Sequence, residues 1–234
     1  MQRILFIVFR MFFEVIYYVA RFSYLGKEKH RDYEKMHYLM QKGCRKAVRL
    51  GRVTVNVEGL ENIPKEDGYI FYPNHQGMFD VLAFVSSTPR PFAFVIKKEA
   101  EKYPIVKQVI KGTNSLPMDR KDLRQSIKVI NTVTEEVKKG RNFVIFAEGT
   151  RSRQGNHVLP MKGGSFKAAT NAKCPIVPCA LIDCFRPFDE KGIKKLSVTL
   201  KYLKPITYDE YKDMKGQEIA DMVRSRIVEA IGEE

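Results

Sequence analysis

Apolar residues recur with two different periods along this chain, and the two periods predict alternating strands and helices. Strands are predicted at short alternating or wholly apolar runs: 53–57, 69–72, 92–96, 115–118, 143–146, 175–182 and 195–203. Helices are predicted where apolar positions are three or four residues apart: 78–86, 99–111, 123–137, 162–172 and 210–230. This alternation indicates an α/β fold, with a mixed, mostly parallel central sheet flanked by helices.

Residues 4–25 form the most apolar stretch of the chain. The charges Arg3, Arg10, Glu14 and Arg21 fall within about 40° of one another on a helix that turns 100° per residue. The uncharged runs between them are too short to cross a bilayer, and no cleavage site of a signal peptide follows. The pattern favours an amphipathic helix that lies in the plane of a membrane interface, and a core helix of a bundle is the alternative.

Residues 28–50 are predicted to form a second, basic helix that ends at Gly51. Residues 1–52 carry twelve Lys and Arg against four Asp and Glu, which is +8 of the net charge of +14. Each cation near an anionic lipid surface contributes about 1 kcal/mol to binding. We therefore expect an N-terminal two-helix membrane-docking element over residues 1–52, followed by an α/β domain over residues 53–234.

The charge of +14 indicates an anionic partner, which could be a membrane surface, a nucleic acid, or an acidic carrier or substrate. Four cysteines occur at 44, 174, 179 and 184 without a C-x-x-C pair, which favours buried, reduced thiols in a reducing compartment. The chain contains no nucleotide-binding glycine loop, no serine-hydrolase elbow, no zinc motif and no nucleic-acid motif. We expect neither a cofactor nor a metal.

The candidate catalytic stretch is Asn74-His75-Gln76-Gly77-Met78-Phe79-Asp80, which follows the predicted strand 69–72. A strand that ends in this way brings the imidazole to the carboxyl edge of the sheet, where α/β proteins bind ligands. Five residues on one helix diverge by about 140°, so His75 and Asp80 meet only if His75 lies in the turn and Asp80 in the first helical turn. The carboxylate would then fix the tautomer and leave the other ring nitrogen free as a base. The alternative is that both residues merely cap a helix.

Polar clusters also follow other predicted strands. Lys97-Lys98, Asp119-Arg120 and residues 148–153 would therefore share one edge of the sheet with His75. Arginine binds phosphate through two hydrogen bonds, whereas lysine acts as a point charge. A base with no enzyme nucleophile, beside a phosphate site, suits deprotonation of a hydroxyl on a phosphorylated lipid, so that this hydroxyl attacks an activated acyl group.

Two blocks carry a family resemblance: Asn74-His75-x4-Asp80, and Phe146-Ala147-Glu148-Gly149-Thr150-Arg151-Ser152 with Ala147 where Pro is usual. They resemble the glycerolipid acyltransferase superfamily, specifically its bacterial 1-acylglycerol-3-phosphate acyltransferases, from about residue 53 to residue 202. The resemblance implies that His75 is the general base and that Asp80 orients it. Residues 176–178 resemble a fourth block, tied to acyl-donor binding or packing. The residues implied to bind the acceptor are Lys97, Arg120, Glu148, Gly149, Thr150 and Arg151.

The resemblance implies transfer of a fatty acyl group from acyl-CoA or acyl-carrier protein to the 2-hydroxyl of 1-acylglycerol-3-phosphate (lysophosphatidate), giving phosphatidic acid. The implied partners are an anionic membrane surface, lysophosphatidate, and acyl-CoA or an acidic acyl-carrier protein. The implied location is the cytoplasmic face of the cell membrane, as a peripheral or monotopic protein. Turn amides between Asn74 and Gly77 are candidate oxyanion donors. The alternatives are acylation of glycerol-3-phosphate, another lysophospholipid or a non-phosphorylated lipid, or a basic membrane-binding protein without chemistry.

Overall fold

The computed structural model describes residues 2–232, and their helices alternate with strands over most of the chain. The helices are α1 (Gln2–Arg10), α2 (Phe12–Leu25), α3 (Tyr33–Leu50), α4 (Phe79–Ser87), α5 (Pro104–Thr113), α6 (Leu123–Lys138), α7 (Lys167–Ala172), α8 (Arg186–Asp189), α9 (Tyr208–Tyr211) and α10 (Gly216–Ile231). The strands are β1 (Val53–Glu58), β2 (Ile70–Pro73), β3 (Ala93–Lys97), β4 (Leu116–Met118), β5 (Phe143–Val144), β6 (Ile176–Ile182) and β7 (Leu196–Tyr202).

These strands form one sheet in the order β1-β7-β6-β2-β5-β3-β4. Neighbouring strands are parallel except β6 and β7, which pair antiparallel. The prediction of a mixed, mostly parallel sheet is therefore confirmed. Because β2, β5, β3 and β4 run in the same direction, the residues that follow these strands emerge at one edge of the sheet.

Both faces of the sheet are covered, which explains the continuous apolar runs of its central strands. In β2, Ile70 and Tyr72 belong to one hydrophobic core and Phe71 to the other, as the alternation of strand side chains requires. All three side chains are fully buried. The Phe71 core includes residues of α3 and α4, and the opposite core includes residues of α6, α7 and α10. The central strands are thereby held rigidly beneath the turns that follow them.

The predicted helix over residues 4–25 is in fact two helices, α1 and α2, which meet at Met11, where φ is −109° and ψ is 18°. Arg3 does not share a solvent-facing stripe with the other charges of this segment, because it is only 2% exposed. Its guanidinium donates to the carbonyl oxygens of Gly51, Pro187 and Lys194. A buried charge requires such partners. Arg3 thus fixes α1 to the rest of the protein.

The outer side of α1 and α2 is strongly apolar. Phe9 is 83% exposed and Phe13 is 81% exposed. The other large apolar side chains exposed on these helices are Leu5, Val8, Phe12, Ile16, Tyr17 and Tyr24. Their inner sides join the same hydrophobic core as the sheet, and the division between residues 1–52 and 53–234 stays a prediction.

Across residues 2–232, no helix combines the length and the apolar character that crossing a bilayer requires.

Two further predictions need correction, and one is confirmed. The last predicted helix, 210–230, is divided into α9 and α10, because the backbone is extended at Lys215, the N-cap of α10, where φ is −71° and ψ is 152°. The strand predicted at 143–146 is regular only over β5, although the Ile145 amide still donates to the Phe71 carbonyl oxygen at 2.9 Å. The cysteines are free thiols; Cys44 is half-buried and the other three are buried.

Candidate functional site

His75 lies in the turn between β2 and α4, and Asp80 lies in the first turn of α4. The Nδ1 atom of His75 is 2.7 Å from Oδ2 of Asp80, so the predicted contact is present. The Asp80 side chain is fully buried, whereas that of His75 keeps 17% of its surface exposed. Because two backbone amides also donate to Oδ2, this oxygen is an acceptor; Nδ1 therefore carries the proton, and Nε2 is left as a proton acceptor.

The same carboxylate oxygen shapes the turn. Oδ2 of Asp80 also accepts from the backbone amides of Gln76 at 2.7 Å and Gly77 at 3.0 Å. The His75 amide donates to Glu148 Oε1 at 2.7 Å. These three N–H groups are occupied, so the prediction that the turn amides act as oxyanion donors is wrong for residues 75–77. The carboxylate satisfies amides that a helix start would otherwise leave unpaired.

The segment after β5 holds His75 from the other side. The Phe146 ring lies against the imidazole, with 4.1 Å between ring centroids, and the Ser152 amide donates to the His75 carbonyl oxygen at 2.8 Å. Together with the bond from the His75 amide to Glu148, these contacts fix the ring and both backbone groups of His75. Residues 146–152 therefore hold His75, the central residue of the 74–80 stretch, in place.

Glu148 is buried behind the turn, with 3% of its surface exposed. Its second oxygen accepts from the Leu159 amide at 3.3 Å. Burial raises the pKa of Glu148 to about 8, although the two amide donors oppose this rise. Burial therefore favours the protonated form of this carboxyl group more than water does.

A cavity of about 720 Å³ opens at His75. Five of the six predicted acceptor-binding residues line it, and Glu148 does not. The five are Lys97, Arg120, Gly149, Thr150 and Arg151. Arg153 also lines the cavity, although we did not predict it as a site residue; it has a left-handed backbone with φ of 56°. The volume is typical of a small-molecule site.

The cations of the cavity differ in how they are held. Arg120 donates to the Gly149 carbonyl oxygen, and Lys97 Nζ is 3.0 Å from Glu99 Oε1. Neither Arg151 nor Arg153 has a hydrogen-bonding or ion-pair partner for its guanidinium among residues 2–232. These two side chains are therefore available to an anionic ligand. Over the same residues, no three His, Cys, Asp or Glu side chains come together as metal ligands.

The remainder of the cavity is apolar and is built from helices far apart in sequence. Its walls come from α2, α3, α4, α5 and β3. The apolar side chains from these helices include Val15, Tyr18, Phe22, Met40, Val81, Leu82, Val85, Ile105 and Val109. A polar, cationic region and a long apolar region thus share one space, which suits an amphiphilic ligand.

Comparison with known proteins assigns the family. A family model described as Acyltransferase matches residues 54–182, which is more than half of the chain. The chain belongs to this acyltransferase family. The family resemblance noted in the sequence is therefore confirmed.

Three relatives illustrate the similarity of this acyltransferase to 1-acyl-sn-glycerol-3-phosphate acyltransferases. It is 29% identical over 182 residues to that of Cocos nucifera, with 76% of this chain and 58% of the relative covered. It is 26% identical over 200 residues to that of Borreliella burgdorferi, covering 84% and 80%. Identity to the Salmonella typhimurium protein is 30% over 165 residues, covering 70% and 67%. The chain spans about half to three fifths of the length of the plant relatives.

Among solved structures, the acyltransferase is similar to the crystal structure of the 1-acyl-sn-glycerophosphate (LPA) acyltransferase PlsC from Thermotoga maritima. The TM-score is 0.77 at 24% sequence identity, and the match covers 99% of this chain and 97% of the other. The two proteins share their fold.

The amide side chains of Asn74 and Gln76 also make contacts that the sequence motif did not predict. Asn74 exchanges two hydrogen bonds with the backbone of Leu181, at 2.7 and 3.0 Å. Gln76 accepts from the Cys184 amide at 2.7 Å. Both join the His75 turn to the end of β6. One indication of these roles was present in the sequence, namely two amide side chains that flank a histidine in a predicted turn. The contacts themselves could not be predicted, because the partners Leu181 and Cys184 lie more than a hundred residues away.

Proposed function

We propose that this protein transfers a fatty acyl group from an acyl thioester to the 2-hydroxyl of 1-acylglycerol-3-phosphate, giving phosphatidic acid. One observation carries the proposal: a His75–Asp80 pair, whose Nε2 makes no hydrogen bond within residues 2–232, faces a cavity that is cationic in one part and apolar in the rest. The names of the sequence relatives support the same reaction.

In the proposed mechanism His75 acts as a general base and no enzyme nucleophile takes part. Nε2 takes the proton of the acceptor hydroxyl while that oxygen attacks the thioester carbonyl. The C–O bond forms, the C–S bond breaks, and the imidazolium returns the proton to the leaving thiolate. Asp80 holds the ring and stabilises its positive charge. Such a base contributes on the order of 10²–10⁴-fold to the rate.

The acceptor's phosphate would bind to the cations of the cavity. Arg151 has no protein partner among residues 2–232, and Lys97 and Arg120 line the same space. An apolar volume beside these cations favours an acceptor that already carries an acyl chain over glycerol-3-phosphate. The backbone N–H groups of Thr150 and Arg151 also have no hydrogen-bond partner within the described residues, and we propose them as oxyanion donors in place of the turn amides.

The exposed apolar side of α1 and α2 supports attachment to one leaflet of a membrane, without a spanning segment. Helices of this kind insert their apolar side chains just below the lipid headgroups, and neighbouring cations add electrostatic attraction. The N-terminal +8 charge supports an anionic leaflet, and we propose the cytoplasmic face of the cell membrane.

The test measures thiol release and lipid products with purified protein on anionic vesicles. Acyl-CoA and acyl-carrier protein are each supplied with lysophosphatidate, with glycerol-3-phosphate, or with no acceptor. We expect phosphatidic acid only with lysophosphatidate, and loss of at least about 100-fold in turnover for His75→Ala with folding intact. Exclusive acylation of glycerol-3-phosphate would replace the proposed acceptor, and vesicle binding without thiol release from either donor would overturn the enzymatic proposal.

A further inference from the structure

We infer that Glu148 is a positioning residue for His75 and does not bind the acceptor. This inference deepens the proposed function, and it differs from the role implied by the sequence resemblance, which groups Glu148 with Thr150 and Arg151 as acceptor ligands. The two roles require different places for the Glu148 carboxyl group: a positioning residue contacts the backbone of the His75 turn, whereas an acceptor ligand lines the cavity.

Within residues 2–232, the hydrogen bonds of the Glu148 side chain come from two backbone amides. Oε1 accepts from the His75 amide at 2.7 Å, and Oε2 accepts from the Leu159 amide at 3.3 Å. With 3% of its surface exposed, Glu148 has no free face for a ligand, and it is not among the residues that line the cavity. Both carboxyl oxygens are thus engaged by backbone groups.

The backbone at Gly149 separates Glu148 from its functional neighbours. Gly149 has φ of +75°, a left-handed conformation that reverses the chain after Glu148. A side chain at position 149 would be strained by this backbone conformation, whereas the nearest atom to a Cβ there, Nζ of Lys162, belongs to a flexible side chain that can move away. Thr150 and Arg151, on the far side of this reversal, line the cavity. Within this one block, Glu148 therefore binds the backbone of His75, whereas Thr150 and Arg151 face the cavity.

The bond from the His75 amide matters for catalysis because it fixes the backbone that carries the base. Asp80 fixes the ring at Nδ1, and the Ser152 amide fixes the carbonyl oxygen. Without Glu148, the His75 N–H loses its partner and the turn can shift. A displacement of about 1 Å at a reacting group costs on the order of 100-fold in rate.

The experiment compares Glu148→Ala and Glu148→Gln with the matched variant Arg151→Gln. Arg151 belongs to the same sequence block but follows the chain reversal at Gly149 and lines the cavity. For each, kcat and the KM for lysophosphatidate are measured by thiol release on vesicles. We expect Glu148→Ala to lose about 100-fold in kcat, with the KM for lysophosphatidate changed less than about threefold. Glu148→Gln keeps one oxygen for the His75 amide and should recover about tenfold of that loss. Arg151→Gln should instead raise the KM.

A second readout does not depend on turnover. Long-range ¹H–¹⁵N correlation spectra of ¹⁵N-histidine protein report which ring nitrogen carries the proton, and His75→Ala assigns the His75 signals. In the wild type we expect Nδ1–H. Glu148→Ala should broaden or shift the His75 signals, Glu148→Gln less so, and Arg151→Gln should leave them unchanged.

The outcomes separate the two proposals. A wild type that acylates no lysophosphatidate overturns the proposed function, while the His75 spectra of the same variants still decide the role of Glu148. If Glu148→Ala fails to fold, Glu148→Gln supplies both readouts. A Glu148→Gln protein with a KM for lysophosphatidate raised at least about tenfold, an unchanged kcat and an unperturbed His75 ring would overturn the positioning role.

Discussion

Replacing Asp80 with asparagine tests the negative charge that Asp80 places beside the His75 ring. One oxygen, Oδ2, accepts from His75 Nδ1 and from the amides of Gln76 and Gly77. Asparagine offers one oxygen and one NH₂ group in the same volume. If its oxygen replaces Oδ2, it keeps all three bonds, and its NH₂ group replaces Oδ1, which is buried and has no hydrogen-bond partner among the described residues. The imidazole then keeps its proton on Nδ1, but it loses the negative charge that stabilises the imidazolium formed when Nε2 takes the hydroxyl proton.

The expected loss follows from the missing charge. Asp80→Asn removes the charge that stabilises the imidazolium, so kcat should fall by about 10²–10⁴-fold, equivalent to roughly 3–5 kcal/mol in activation free energy. The unfolding midpoint should change much less, because the two backbone bonds that hold the turn are retained. Steady-state thiol release with lysophosphatidate measures the first quantity, and thermal unfolding measures the second.

Asp32→Asn is the matched control. Asp32 also accepts from a backbone amide at a helix start, that of Lys35 at 3.0 Å, but it caps α3 and does not contact His75. It should leave kcat unchanged. An Asp80→Asn enzyme with kcat within about threefold of wild type would refute the reasoning.

Three further predictions concern other parts of the protein. Burial raises the pKa of Glu148 from 4.5 to about 8, so between these pH values the folded state holds a proton that the unfolded state releases. The contribution of this group to the free energy of unfolding is therefore complete below about pH 4.5 and is lost towards pH 8, by up to about 1.4 kcal/mol per pH unit. Glu148→Gln should flatten this pH dependence of the free energy of unfolding in urea titrations, and an unchanged slope would contradict the prediction. Arg151→Gln should lower kcat/KM for lysophosphatidate by about 10- to 100-fold through loss of a charged hydrogen bond, and an unchanged kcat/KM would exclude Arg151 as a phosphate ligand. The double variant Phe9→Asp/Phe13→Asp should no longer sediment with anionic vesicles, since each Phe side chain buried in the membrane contributes about 1.5–3 kcal/mol. The control Leu123→Asp, at a residue of α6 that is 74% exposed, should still sediment with the vesicles. Equal effects of the two changes would argue against docking through α1 and α2.

Local periodicity and strand–turn–helix geometry predicted much of this molecule. The meeting of His75 with Asp80 could be deduced because both lie within one short segment, where helix geometry leaves a single arrangement that brings them together. The convergence of residues near 97, 120 and 151 followed from strands that run in the same direction. In each case the deciding physics acts over a few residues or through one regular sheet.

What the sequence did not reveal depends on distant partners. The charge pattern grouped Arg3 with a polar stripe, but its partners Gly51, Pro187 and Lys194 are 48 to 191 residues away in sequence. The orientation of Glu148 is equally hidden, because it depends on a chain reversal at Gly149 and on an amide 73 residues away. A motif therefore identified the right block without telling which of its side chains face the ligand.

The N-terminal helices connect the two parts of the proposed function. Tyr18 and Phe22 of α2 line the same cavity as His75, while Phe13 on that helix is exposed. A helix that docks on a leaflet through Phe13 would place one wall of the cavity at the lipid surface. A lysophosphatidate molecule could then present its hydroxyl to His75 without carrying its acyl chain through water, where each exposed CH₂ group costs about 0.8 kcal/mol. The apolar surface of α1 and α2 would thus serve both membrane attachment and delivery of the acceptor.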